Sequence, residues 1–479
     1  MGIYLVALLA VGCFSSRRVH SSVDFVIAGR RLSLPLCTAT LFATWFGGGT
    51  CLGAAGAAYN QGLLGVIADP FGAALCLFLA GLFYVRMLRR MRLITLADFF
   101  LVRFGPTAEF LSAFLTIPPF LAWTGAQFVA LGYVLHTLTG IDTTVAIVTG
   151  ALVVLAYTLM GGMWAVSITD FFQAIILIVG LLILVPSVLS DAGGWAAIHA
   201  KLPEGHLAFV PENTFADWTW YVEAWLIVGL GSIPSQDLLQ RSLGARDERV
   251  AQNSAYLAGL LYVVIGAVPV LLGLAARLVL PEIADPEMVL PQLGLKYLNP
   301  VGAALFVGAL LSAIMSSADS ALLAPATVFT ENMLKRWMPS ITSEQELRAT
   351  RWALLVAVCI SLAFALWFQN VYRLMVDSMA VGLAALIAPF TAGIYWKRAN
   401  APAAVASIVA GLTGWAVALA VQSTYPAASM GAVVSLATLV IVVRATGKST
   451  PAEPLRDLEG RELRYADRLG VLFGGGARF

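Results

Sequence analysis

LFATWFGGGTC, residues 41–51, sets three consecutive glycines, Gly47, Gly48 and Gly49, inside an apolar run long enough to cross a membrane. Glycine costs about 1 kcal/mol relative to alanine in a helix interior. At membrane depth, freed backbone groups are tolerated only where they are buried in protein or line a cavity. Residues 41–53 are therefore expected to form an unwound stretch of a spanning helix. The alternative is close helix packing of the small-xxx-small kind, for which Gly49 and Gly53 would suffice.

Composition places this stretch in a bilayer. The 479-residue chain is 59% hydrophobic and 12% charged, a balance that no single soluble core accommodates. The net charge of +2 reports orientation before it reports partners, and nucleic-acid binding is not expected. Four histidines without a clustered nucleophile or metal set leave nothing for enzymatic activity. The five cysteines, Cys13, Cys37, Cys51, Cys76 and Cys359, lack metal-ligand spacing and read as buried small hydrophobes.

Apolar runs of spanning length predict an all-α polytopic membrane protein with about 13 transmembrane helices. The runs are 1–15, 34–60, 64–87, 107–138, 143–161, 163–189, 218–240, 251–278, 300–330, 350–368, 372–395, 400–421 and 426–444. Basic residues gather in alternate loops: Arg17, Arg18, Arg30 and Arg31; Arg86, Arg89, Arg90 and Arg92; Arg241, Arg246 and Arg249; Lys335, Arg336, Arg348 and Arg351; Lys397 and Arg398. The positive-inside rule makes these loops cytoplasmic. The N-terminus is then expected outside and the C-terminus inside, in the plasma (inner) membrane. Trp195, Trp218 and Trp220 in the opposite loops suit interfacial anchors.

A second interruption lies in IVGLGSIPSQDLLQ, where Gly229, Gly231 and Pro234 break the seventh run. Each break falls in the first helix of a five-helix set. Matching breaks in two halves point to a secondary transporter built as an inverted repeat, with its site at the midplane. The expected division is 1–33, an extra N-terminal helix and cytoplasmic loop; 34–189, the first repeat; 190–217, an extracellular loop; 218–398, the second repeat; 399–444, two extra helices; and 445–479, a cytoplasmic tail.

In the ninth run, SAIMSSADS puts Ala313, Ser316 and Ser317 on one helical face. Two hydroxyls and a carbonyl there, opposite unwound carbonyls of Ala43 and Phe46, would offer about five neutral oxygens to a hard cation, and sodium fits. Alternatively, the serines bond back to their own i−4 carbonyls.

The segments DFVIAGRRLS, ATWFGGGTCLGAAGAAY, YTLMGGMWAVSITDFFQ, QDLLQRSL and AIMSSADSALLAPATVFTENM, in this order, resemble the sodium:solute symporters over roughly residues 24–398. The resemblance implies a LeuT-like 5+5 inverted repeat with one extra N-terminal and two extra C-terminal helices. It also implies Na+ on the carbonyls of Ala43, Phe46 and Ala313 and the hydroxyls of Ser316 and Ser317. Asp170 matches the family aspartate associated with sodium release or a second cation, and Asp319 and Ser320 are candidates for the same second site. A salt bridge from Asp170 to a loop arginine is the structural alternative.

The motifs look closest to the high-affinity choline transporter branch, in which tryptophans cage a quaternary ammonium. Trp45 and Trp123 match two cage positions, and Ser235 stands at the third. Candidate substrate residues are Trp45, Gly47, Gly48, Trp123, Gln127, Ser235 and Gln236, around choline, a betaine or another amine. An amino acid, nucleobase or carboxylate is the alternative solute, and a transporter-like sensor or an ion channel the alternative class. Trp45 could instead fill space beside the break. Asp69 before Pro70 reads as a helix cap or an attractor of cations near the entrance, and Asp237 and Arg241, one turn apart, as a structural pair. The expected partners are a small solute, sodium and the lipid bilayer, and the chain is compatible with a monomer.

Overall fold

A computed structural model describes residues 14–15, 19, 21–212, 214–367, 371–446 and 454–463. Most of the expected first span, 1–15, and most of the tail, 445–479, lie outside the described residues, as do Cys13, Arg17 and Arg18. The described chain is helical without a strand. Its main helices are α1 (Leu34–Trp45), α2 (Ala55–Gln61), α3 (Ala73–Phe83), α4 (Pro106–Thr139), α5 (Thr143–Asp191), α6 (Phe215–Gly229), α7 (Gln236–Gly244), α8 (Glu248–Val279), α9 (Pro300–Val328), α10 (Ser343–Trp367), α11 (Ile387–Tyr395), α12 (Ala401–Ala420) and α13 (Ala427–Thr446). Among the described residues, nine helices are long and apolar enough to cross a membrane, and Leu34–Trp45 and Thr143–Leu159 are shorter apolar helices.

Side chains on the outer faces of these helices are apolar and exposed, among them Phe172, Ile183, Val264, Trp352 and Val433. That is the arrangement a lipid solvent requires. Of the described cysteines, Cys37, Cys51 and Cys76 are buried, whereas Cys359 is exposed on the outward side of α10. Within α5 the chain turns at Gly162, whose φ of 50° is left-handed. A side chain there would also sit 2.4 Å from the carbonyl oxygen of Phe25. The turn separates the two runs expected at 143–161 and 163–189.

The basic loops meet one another at one end of the molecule. Arg30 donates to the Arg92 carbonyl at 2.5 Å, Arg89 to the Ala245 carbonyl at 2.7 Å, and Arg90 pairs with Glu248 at 3.0 Å. Arg241 departs from its expected place in a loop, being fully buried in α7. Segments 190–217 and 279–299 gather with the 59–63 turn away from this cluster: Lys296 pairs with Asp191 at 3.3 Å, Leu63 N–H donates to the His206 carbonyl at 2.9 Å, and the Tyr59 hydroxyl donates to the Leu280 carbonyl at 2.8 Å.

Between the residues just before α1 and those just after α7 runs a backbone stitch. Leu32 N–H donates to the Gly244 carbonyl and Arg246 N–H to the Leu32 carbonyl, each at 3.0 Å. The Gln240 amide adds a 2.6 Å bond to the Val26 carbonyl.

Candidate functional site

Both interruptions expected from glycine and proline are present, and each is tighter than its sequence window. α1 ends at Trp45, and Phe46 leaves helical geometry at φ −77°, ψ 62°. A π-helical turn resumes at Gly49–Ala54 and passes into α2. At the break, Gly47 N–H donates to the Trp45 carbonyl at 2.8 Å rather than to that of Ala43. The Ala43 carbonyl instead accepts from the Ser317 hydroxyl at 3.3 Å. Gln127 on α4 covers the next orphan, its Oε1 accepting Gly48 N–H at 2.9 Å. The backbone groups released by the kink are thus met by side chains from neighbouring helices, as the low-dielectric interior demands.

The second break runs from the end of α6 at Gly229 to the start of α7 at Gln236. A side chain at Gly231 would approach the Met379 carbonyl to 2.9 Å, and one at Gly382 would approach the Gly231 carbonyl to 2.0 Å. Backbone packs directly on backbone there.

α9 brings its serine face to the first break. Ser316 and Ser317 are fully buried, and neither bonds back to its own helix in the way membrane serines commonly do. Ser316 donates to Asp170 on α5, and Thr40 on α1 donates to the other oxygen of the same carboxylate. Asp170 is buried, and its hydroxyl partners come from helices rather than from a loop arginine. Ser320, by contrast, does bond back, to the Ser316 carbonyl at 2.7 Å. Ala313 lies one turn earlier on this helix, 2% exposed.

Beside the break is a small cavity. Its wall includes Trp45, Trp123, Tyr262, Met375, Met379 and Asp69. A second small cavity shares Trp123 and Met379 and reaches Ser235 and Pro234 at the other break. Trp45 is fixed by an indole N–H bond to the Asp237 carboxylate, which also accepts from Ser235 at 2.5 Å. Gln236 turns the other way, holding Leu96 N–H at 2.8 Å and the Ile94 carbonyl at 3.2 Å. Of the expected substrate residues, Trp45, Trp123 and Ser235 therefore line the cavities. Gly47, Gly48 and Gln127 form the floor of the break, and Gln236 braces the start of α7.

The profile of the sodium:solute symporter family matches residues 25–411. The chain belongs to that family. This symporter is 29% identical over 441 residues to the human high affinity choline transporter 1, covering 86% of this chain and 74% of that one. It is 26% identical over 401 residues to the sodium/pantothenate symporter of Haemophilus influenzae, covering 81% and 82%. Its fold is similar to that of a Na+-coupled sialic acid symporter in a substrate-bound outward-open state, with a TM-score of 0.80 at 22% identity over 94% of this chain and 98% of that one. A nucleobase-cation-symport-1 family transporter follows at a TM-score of 0.63 and 17% identity, covering 90% and 96%. The symporter thus has the LeuT-type architecture that the resemblance implied.

Several residues around the symporter's two breaks were given no site role by the sequence reading. Thr40 sits one turn before Ala43 on α1 and completes the Asp170 clasp. Tyr157 donates to Asp319 at 2.7 Å and also contacts the Met315 carbonyl at 2.9 Å. The Arg241 guanidinium donates to the Ser320 hydroxyl and, at 2.9 Å, to the Asp237 carbonyl oxygen of its own helix, so Arg241 and Asp237 do not join as an ion pair. Its charge also acts on Asp170 and Asp319. A signal for these groups was available, since an ionisable or hydroxyl side chain within a span is a functional candidate by default.

Proposed function

We propose that this symporter imports a small organic solute by alternating access, coupled to sodium held between the first helix break and α9. The sodium ligands in this reading are the carbonyls of Ala43, Phe46 and Ala313 and the hydroxyls of Ser316 and Ser317. The supporting observation is the Ser317 hydroxyl 3.3 Å from the Ala43 carbonyl, at the point where that carbonyl has lost its helical partner. A compact monovalent cation inserted there finds neutral oxygens from two helices and an acidic flank in Asp170 with Thr40. Asp170 is the group that a second cation, or the same ion on its way in, would meet. Asp319 and Ser320 are already engaged by Tyr157 and Arg241, so we assign them to positioning α9.

In this mechanism sodium ties α1 to α9 and stabilises the shape that accepts solute, the coupling being the difference in affinity of ion and solute between shapes. Inward opening separates the two helices and disperses the ligands. A membrane potential contributes about 2.3 kcal/mol per charge per 100 mV to that step. With the basic loops cytoplasmic, the solute enters from outside.

The test is solute uptake into proteoliposomes against sodium concentration. Ser316→Ala with Ser317→Ala is expected to raise the half-saturating sodium concentration by roughly tenfold or more, the loss of hydrogen-bonding oxygens around a charge being worth that much. Unchanged sodium dependence would remove the ion from this place.

A further inference from the structure

Asp69 is the feature of the solute cavity that the family reading leaves unused. It does not cap a helix: its Oδ2 takes the Thr50 hydroxyl and its Oδ1 no N–H among the described residues, and the residue is only 2% exposed. Its carboxylate turns inward to the wall that Trp45, Trp123 and Tyr262 share. Thr50, from the π-helical turn after the first break, donates to Oδ2 at 2.6 Å, and the Tyr262 hydroxyl lies 2.7 Å from the Thr50 hydroxyl and also acts on the Asp69 carboxylate. Oδ1 has no hydrogen-bond partner among the described residues. Neither Lys nor Arg is among the described residues that line this cavity, so an ionised Asp69 has no counter-charge there.

A buried carboxylate oxygen without a donor is costly, and the cost is relieved by a ligand that both carries positive charge and donates a hydrogen bond. Aromatic walls favour the charge alone, and a quaternary ammonium would satisfy them. It would not satisfy Oδ1, because it has no N–H. The indole N–H of Trp123, a residue of the same wall, is likewise without a partner among the described residues.

We propose that Asp69 selects a protonated primary or secondary amine as the solute of this cavity, its Oδ1 accepting the solute's N–H while Trp45, Trp123 and Tyr262 enclose the charge. This rests on the reading of the cavity as the solute site. It sets the chain apart from a cage for quaternary ammonium, in keeping with Ser235 where a third aromatic wall would stand.

The experiment compares pairs of one skeleton: ethanolamine with choline, and glycine with glycine betaine. Binding to the purified full chain is followed by thermal shift, with and without sodium. The unmethylated member of at least one pair is expected to bind about tenfold or more tightly than its methylated partner, the worth of a charge-assisted hydrogen bond. Asp69→Asn, which preserves shape, is expected to erase that preference. Should this variant fail to fold, the wild-type preference alone decides. Tighter binding of the methylated member in both pairs overturns the proposal, as does an absence of binding by all four. So does an Asp69→Asn variant that keeps the preference but needs more sodium, because Asp69 would then serve the ion. Sodium-dependent binding that favours the methylated members sinks this inference and leaves the symport reading standing. Binding that favours the amines without sodium dependence does the reverse.

Discussion

Gly47→Ala is expected to reduce sodium-dependent uptake at least about a hundredfold while leaving the protein folded. The backbone at Gly47 is not left-handed, so the reason is space. A methyl group there would lie 2.0 Å from the Ser317 hydroxyl oxygen, 2.5 Å from its Cβ and 2.9 Å from Gln127 Oε1. Ser317 is fully buried on a long helix and cannot retreat alone, so α1 and α9 must separate at the point where they are proposed to share an ion. Misplacing ligands by an ångström is enough to lose a constellation of this kind. Gly308 on α9 is the matched control, because a methyl group there meets nothing within 4 Å. Gly308→Ala is expected to transport normally and to be as stable or slightly more so. Wild-type sodium dependence in Gly47→Ala would show that the break does not hold the ion.

The second large effect is on stability. Arg241→Met is expected to destabilise the protein by about 3–5 kcal/mol, the range for removing one partner from a buried charged set. Arg241 is fully buried, and its charge acts on the carboxylates of Asp170 and Asp319, whose hydrogen-bond partners are hydroxyls. Without it, both acids remain in a low-dielectric interior. The melting temperature in detergent reads the effect. Adding Asp319→Asn to Arg241→Met is expected to recover part of the loss, since the removed positive charge and the removed negative charge are coupled. A melting temperature within a degree or two of wild type for the single variant would place Arg241 outside the stabilising network.

What the sequence disclosed and what it withheld divide along a physical line. The break at Gly47 was legible because a glycine run in an apolar span violates a local rule. Ser316 and Ser317 were legible because helical spacing alone puts them with Ala313 on one face. Neither inference needs to know which helix lies opposite. Thr40, Tyr157 and Tyr262 were missed because their roles exist only across helix interfaces, and hydroxyls on apolar spans have no periodic signature. Trp45 was expected beside the solute, but its indole partner, Asp237, is contributed by α7, far along the chain. Asp69 followed by Pro70 has the appearance of a cap. Its inward turn depends on Pro70 packing against α8, where a side chain at Gly266 would meet the Pro70 ring at 2.5 Å. Arg241 was counted among loop cations because charge alone does not distinguish a helix interior from its end.

The stitch of Leu32 to Gly244 and Arg246 constrains how the molecule works. It fastens the segment before α1 to the end of α7 by main-chain bonds that only a proline substitution would remove. In the proposed alternating-access cycle, a pivot that keeps these bonds swings the two segments together, as a single rocker with one axis. A covalent staple across this junction would ride along with the turnover rather than arrest it.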